Sequence, residues 1–104
     1  MNLLYLPKAR AFIEALDSPL DARTNKMLDL LRDRGHELRM PFSKPVEDGV
    51  FELRVVGAVQ IRLLYFFHSG TAIFVHALFK KTEQLSRRDI DYALRVRKAF
   101  IADT

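Results

Sequence analysis

Four basic residues in the second half of the chain, Arg54, Arg62, Lys80 and Lys81, are the side chains whose type and spacing best suit chemistry, and that chemistry is on a phosphate. Fixed cations neutralise phosphate oxygens, and arginine adds a planar fork of donors that matches two of them at once. A lysine crowded by other cations gives up its proton more readily, which makes Lys80 or Lys81 a candidate proton donor. Pairing parity gathers them. With Ser69-Gly70 as a two-residue hairpin turn, His68 faces Thr71 and Arg62 faces Ala77. Lys81 then projects from the same side as Arg62, because directly opposed residues share a face. An odd-length connection near Gly57 brings Arg54 to that face too, and an even one turns it away. Leu63, Tyr65 and Phe67 fall on the other face, which suits packing against helices. Spacing alone also fits ordinary solvated charges on the open side of a half-buried sheet, and on spacing alone that plainer reading carries more weight.

Among the remaining polar residues, His76 is the tempting one, since an imidazole is the usual general acid near neutrality. The same parity sets it opposite Leu63, on the core face, so a hydrogen-bonded structural role is expected. His36 follows a glycine and His68 precedes a turn, so both are expected to be exposed. Three scattered histidines with no cysteine form no convincing metal site, and neither a metal nor a small-molecule cofactor is called for. Glu52 places an acid beside the basic face, where Arg54 is its natural partner. Tyr65 reads as core and Phe66 as a stacking surface on the charged side. Arg87, Arg88, Arg95, Arg97 and Lys98 either solvate the last helix or extend a nucleic-acid surface.

The elements that must hold these residues can be read from periodicity. Ala9, Phe12, Ile13 and Leu16 follow helical spacing, and Asp17-Ser18-Pro19 ends that helix and starts another, with Ser18 as N-cap and Pro19 in the first turn. Leu20, Met27, Leu28 and Leu31 share a face, and Gly35 stops the second helix. Asn2 to Leu6 fits either a short edge strand or a lead-in. His36 to Asp48, holding Pro41 and Pro45, reads as a polar connection. After Asp48-Gly49 the period becomes two: Phe51, Leu53 and Val55 alternate with Glu52 and Arg54. Val59 to Phe67 and Ala72 to Phe79 are two further strands. Ser86 with Asp89 forms a capping box that opens a final helix whose apolar side holds Ile90, Leu94 and Ile101. The expected fold is α+β, one domain over residues 1–104, with the helices segregated onto a mainly antiparallel sheet.

Composition bounds the function. The chain has 104 residues, 49% hydrophobic and 29% charged, enough for a modest core. Seventeen Lys and Arg against thirteen Asp and Glu leave a net charge of +4, which suits a polyanionic partner. The absence of cysteine excludes disulfides, cysteine–zinc sites and thiol nucleophiles. The longest apolar run, Leu63 to Phe67, is too short for a bilayer, and no signal-peptide pattern is present, so a cytoplasmic protein with no membrane role is expected.

Three stretches, read together, resemble one family. Ser43-Lys44-Pro45 with Asp48-Gly49-Val50-Phe51-Glu52-Leu53-Arg54 is similar to the segment by which HigB-like toxins enter their sheet. Arg62-Leu63-Leu64-Tyr65-Phe66 is similar to that family's arginine-bearing second strand, and Phe79-Lys80-Lys81-Thr82 to its basic exit from the last strand. The two leading helices and Gly35-His36-Glu37-Leu38 fit as well, so the chain resembles the RelE/ParE superfamily, HigB-like branch, over nearly its whole length. The resemblance implies a RelE-type fold and a cognate antitoxin, of helix-turn-helix type. It also implies cleavage of ribosome-bound mRNA without a metal. By the same resemblance Arg54 acts on the phosphate or a proton, Arg62 clamps the transition state, and Lys80 and Lys81 bind phosphate or protonate the leaving group. Lys44 would contact the RNA backbone or ribosomal RNA; Arg87 and Arg88, read from their place on the last helix and not from the resemblance, are further RNA-binding candidates. Some ribosome-dependent members carry a tyrosine or histidine just after the basic pair; here Thr82-Glu83-Gln84-Leu85-Ser86-Arg87 holds neither.

Two other functions stay open at this stage: a ParE-like, non-enzymatic poison of DNA gyrase, and a nucleic-acid-binding homologue without chemistry. The arginine and lysine cluster favours RNA cleavage, for which Arg62→Ala and Lys81→Ala are expected to relieve growth arrest with folding intact.

Overall fold

Two dipeptides fold the strands back on themselves. Asp48 and Gly49 take φ values of 44° and 87°, Ser69 and Gly70 values of 51° and 73°. Positive φ at both central residues is what the tightest hairpin turns demand, because that geometry matches the natural strand twist. In the computed structural model, which describes residues 1–104, these turns join β2 (Ser43–Glu47) to β3 (Val50–Val55) and β4 (Ile61–His68) to β5 (Thr71–Phe79). The opening residues settle as a strand, β1 (Asn2–Tyr5), parallel to β5, and complete a five-stranded sheet of order β1-β5-β4-β3-β2. The helices are α1 (Pro7–Glu14), α2 (Leu20–Arg34) and α3 (Arg87–Ala102), with a short 3-10 turn at Gly35–Glu37. The α+β class stands as expected.

Three local expectations are corrected. Residues 43–47 are a strand, not connection; Pro45 is tolerated there because β2 is an edge strand and its outer side needs no N–H. Lys44 accordingly sits in that strand, opposite Glu52, rather than in a loop. At the start of α2, Pro19 takes the N-cap position and no side chain caps the helix, so Ser18 does not play that part. At α3 the N-cap half of the expected capping box forms, the Ser86 hydroxyl accepting from the Asp89 N–H, while the Asp89 carboxylate accepts from that hydroxyl at 2.8 Å in place of the Ser86 N–H.

A larger correction concerns the faces. Helices cover both sides of the sheet. Ala9 of α1 and Leu28 and Leu31 of α2 pack with Leu53, Leu63, Tyr65 and Phe74 in one core. Ala93 of α3, with Leu94 and Phe100, packs on Val50, Leu64, Phe66 and Ile73 in a second. Phe66 is therefore fully buried against the last helix and is no stacking surface. The charged face is the part of this second side that α3 leaves partly open.

The cause of the remaining difference is a β-bulge. Leu64 pairs with His76 but Tyr65 pairs with Phe74, so Val75 is an extra residue. An inserted residue shifts parity beyond it by one. Arg62 consequently faces Leu78, not Ala77, and His76 faces Leu64, not Leu63. His76 leaves the core of the first two helices and joins the side that carries Arg62.

Candidate functional site

The sheet register aligns the basic residues in two adjacent rows. One row runs Lys44, Glu52, Leu64, His76 across four strands, and the next runs Arg54, Arg62, Leu78 across three. Opposed residues share a face, so Lys44, Arg54, Arg62 and His76 all project on the α3 side, around Glu52. Glu52 is buried, and it lies 3.6 Å from both guanidinium groups, Oε1 to Arg54 and Oε2 to Arg62. Without that carboxylate, Arg54 and Arg62 would stand opposite one another with nothing to offset their repulsion.

Arg62 is held on two sides. Besides Glu52, its terminal nitrogen donates to the Glu83 carbonyl at 2.6 Å, from the loop that follows β5. Only that one hydrogen bond is taken from a group with five N–H donors, so its orientation is set and donors remain for an anion, while Glu52, shared with Arg54, offsets part of its charge. Arg62 lines a cavity of about 490 Å³ together with Lys81, His76, Ser86 and Asp89, walled by Phe12, Leu78 and Leu85. That volume falls in the range of roughly 300–1,000 Å³ usual for small-ligand sites. The apolar walls lower the local dielectric and strengthen the pull of each cation on a bound anion.

The other basic residues sit around this centre rather than in it. Lys80 continues the pairing of β5 through its N–H to the Gln60 carbonyl, and its ammonium lies 3.6 Å from Glu83. Lys80 and Lys81 together line a neighbouring hollow of about 420 Å³. Arg54 touches Glu52 on one side and on the other borders a wide groove against α2, lined by Met27, Leu30, Phe42 and Val56. Lys44 is exposed at the sheet edge. Arg87 is bound on both sides, by Glu47 at 2.7 Å and Asp91 at 2.8 Å, and its hydrogen bonds hold the Glu47 carboxyl below the usual range. Arg88, its neighbour, takes part in no ion pair and is exposed.

His76, Ser86 and Asp89 are the members of the cavity wall that sequence reasoning did not assign to it. His76 Nε2 lies 2.8 Å from Asp89 Oδ1, while its Nδ1 is buried with no partner. Partial burial pushes the Asp89 carboxyl up, but hydrogen bonds from His76 and Ser86, aided by the charges of His76 and Lys8, outweigh it and hold the group below its ordinary value. A carboxyl lowered in the folded state stabilises the fold above its unfolded value, near 3.9, and that contribution disappears as pH falls through the lower folded value. Asp89→Asn is therefore expected to unfold with a flatter acid limb than the parent chain. Thermal melts taken from neutral to strongly acidic pH give the check, and parallel acid limbs would refute the coupling.

No helix of the structure is long and apolar enough to cross a membrane. Compared with known proteins, residues 11–98 match the family model described as phage derived protein Gp49-like (DUF891). None of the curated proteins matches the chain.

Proposed function

The chain belongs to the Gp49-like family, a RelE/HigB-type toxin family associated with toxin–antitoxin systems and implying a cognate antitoxin, and from that premise we propose that it is a messenger-RNA endonuclease acting on the ribosome. The observation that carries the reading is that Arg62 and Lys81, far apart in sequence, line one cavity of nucleotide-compatible size.

The reaction that suits these residues is attack of a ribose 2′-hydroxyl on the adjacent phosphate: the 2′-oxygen bonds to phosphorus and gives its proton to solvent, the bond to the 5′-oxygen breaks, and that oxygen takes up a proton, leaving a cyclic phosphate. It needs the strand positioned, the added negative charge stabilised and protons moved. Arg62, pre-oriented by Glu52 and the Glu83 carbonyl, offers its fork to the non-bridging oxygens. Lys81, exposed and lining the same cavity, binds the phosphate or protonates the leaving oxygen in this reading. Arg54 and Lys80 flank the same phosphate path, while Lys44 and Arg88 extend it along the RNA backbone or ribosomal RNA. Arg87 belongs to the same basic set in the sequence, but its two carboxylate partners cancel much of what its charge adds to such a path. A place beside the HigB-like branch, with a helix-turn-helix antitoxin covering or rearranging the basic face, fits the same residues.

Induced expression tests this. Translation should stop, and mapped message ends should show new cuts within ribosome-bound transcripts. Intact messages accompanied by DNA breaks would overturn the reading and give the fold to gyrase poisoning.

A further inference from the structure

Beside the Arg62–Lys81 cavity, and sharing His76 and Asp89 with it, opens a second cavity of about 650 Å³ that Lys8, Arg88, Tyr92 and Arg95 also line. We propose that this is a separate phosphodiester-binding site, which holds a single-stranded RNA at a nucleotide beyond the one being cut. The inference rests on the RNA reading above and adds Lys8 and Arg95 to Arg88, on the far side of the His76–Asp89 pair.

The charge balance of the second cavity carries the argument. Two carboxylates border it, and both are already engaged: Asp89 by His76 and Ser86, Asp91 by Arg87. Its three cations, Lys8, Arg88 and Arg95, are exposed and belong to none of the chain's ion pairs. Arg87, one residue from Arg88, is bound to two carboxylates. What positions Lys8 and Arg95 is an aromatic ring instead. Lys8 Nζ lies 4.2 Å from the centre of Tyr92, and the Arg95 guanidinium 5.6 Å from it. A ring attracts a cation without cancelling its charge, so Arg95 and Lys8 are oriented and stay charged, with Lys8 spending part of its pull on Asp89. Arg88 and Arg95 are seven residues apart on α3, two turns along one face and about 10 Å in rise. Lys8 approaches from α1, so the site is built from two elements that the sheet brings together. The His76–Asp89 pair forms the wall between the two cavities, which makes the second a continuation of the first for an extended strand.

The test measures binding of a short 2′-O-methyl oligoribonucleotide, which cannot be cleaved, by fluorescence anisotropy across a salt series. The chain carrying Lys8→Ala, Arg88→Ala and Arg95→Ala should bind about tenfold or more weakly at low salt. Its plot of log affinity against log salt should flatten by about 2, since each phosphate contact on a single strand contributes roughly 0.7. A control with the same charge loss on α1 and α2, away from these cavities and from the Arg54 groove, Arg10→Ala, Arg32→Ala and Arg34→Ala, should keep the parental slope. The exchange Lys8→Arg, Arg88→Lys and Arg95→Lys should keep it too. Equal slopes and affinities for the two triple alanine variants would overturn the proposal and leave the patch to an acidic protein partner. If the parent cuts messages while this result is obtained, the endonuclease reading survives and only the second site falls. A parent that neither cuts nor binds RNA sinks both.

Discussion

Arg62→Ala is expected to cost about 3–5 kcal/mol of folding stability, because it leaves the buried Glu52 carboxylate short of a partner. This differs from the expectation that the substitution spares the fold, which treats Arg62 as an exposed side chain; its side chain is in fact only 8% exposed. Arg54 remains near Glu52 and is itself 29% exposed, so it screens part of the loss and pulls the value toward the lower end. The Glu83 carbonyl loses its donor as well, which frees the loop after β5. Urea unfolding of the single variants and of Arg62→Met with Glu52→Leu gives the coupling. Removing both charges should cost less than removing either alone, since a well-packed apolar pair avoids the desolvation that a lone buried ion suffers. A loss below about 1 kcal/mol for Arg62→Ala would mean that water reaches the pair and that the stability argument is wrong. The practical consequence is that loss of toxicity in Arg62→Ala cannot by itself assign a role in cleavage. Arg62→Lys keeps the charge near Glu52 and removes the fork, so it separates folding from phosphate recognition.

The same residue shows where reading the chain succeeds and where it stops. The hairpin turns and the N-cap of α3 are written in local chemistry: Asp48-Gly49, Ser69-Gly70 and Ser86 with Asp89 each satisfy a backbone requirement within four residues. Strand β3 is legible because one of its faces alternates, Phe51, Leu53, Val55 against Glu52 and Arg54. β5 gives no such rhythm. From Ala72 to Val75 every residue is apolar and buried, because helices cover both sides, and a strand buried on both faces has no period of two to mark where it slips. An extra residue in that run is invisible in composition, yet it decides whether His76 belongs to the core or to the Arg62 cavity. The apolar stripe of α3 is plain in the sequence, but a stripe does not say which face of the sheet it will cover. Pro45 misleads for a related reason: proline forbids a central strand, and only the sheet order reveals that β2 is an edge. The Arg62–Lys81 association survives the shifted register because β5 ends at Phe79 and Lys81 reaches the cavity from the loop rather than from the ladder.

Lys81→Ala should separate function from folding in the way Arg62→Ala does not. Its side chain is exposed and makes no ion pair, so its removal should change stability by no more than about 0.5 kcal/mol. Cleavage of ribosome-bound message should nevertheless fall by about 100-fold or more, the usual cost of deleting one preorganised donor at a developing charge. Two further measurements say which task it performs. The exchange Lys81→Arg retains a cation but cannot release a proton, so it rescues cleavage if Lys81 only binds the phosphate and fails if Lys81 protonates the leaving oxygen. A message analogue with sulfur at the bridging 5′ position leaves without an acid; on it Lys81→Ala should recover most of the lost rate under the acid role and none under the binding role. Parental cleavage rates in Lys81→Ala on both substrates would remove this lysine from the reaction, and with it the convergence of Arg62 and Lys81 on which the endonuclease reading depends.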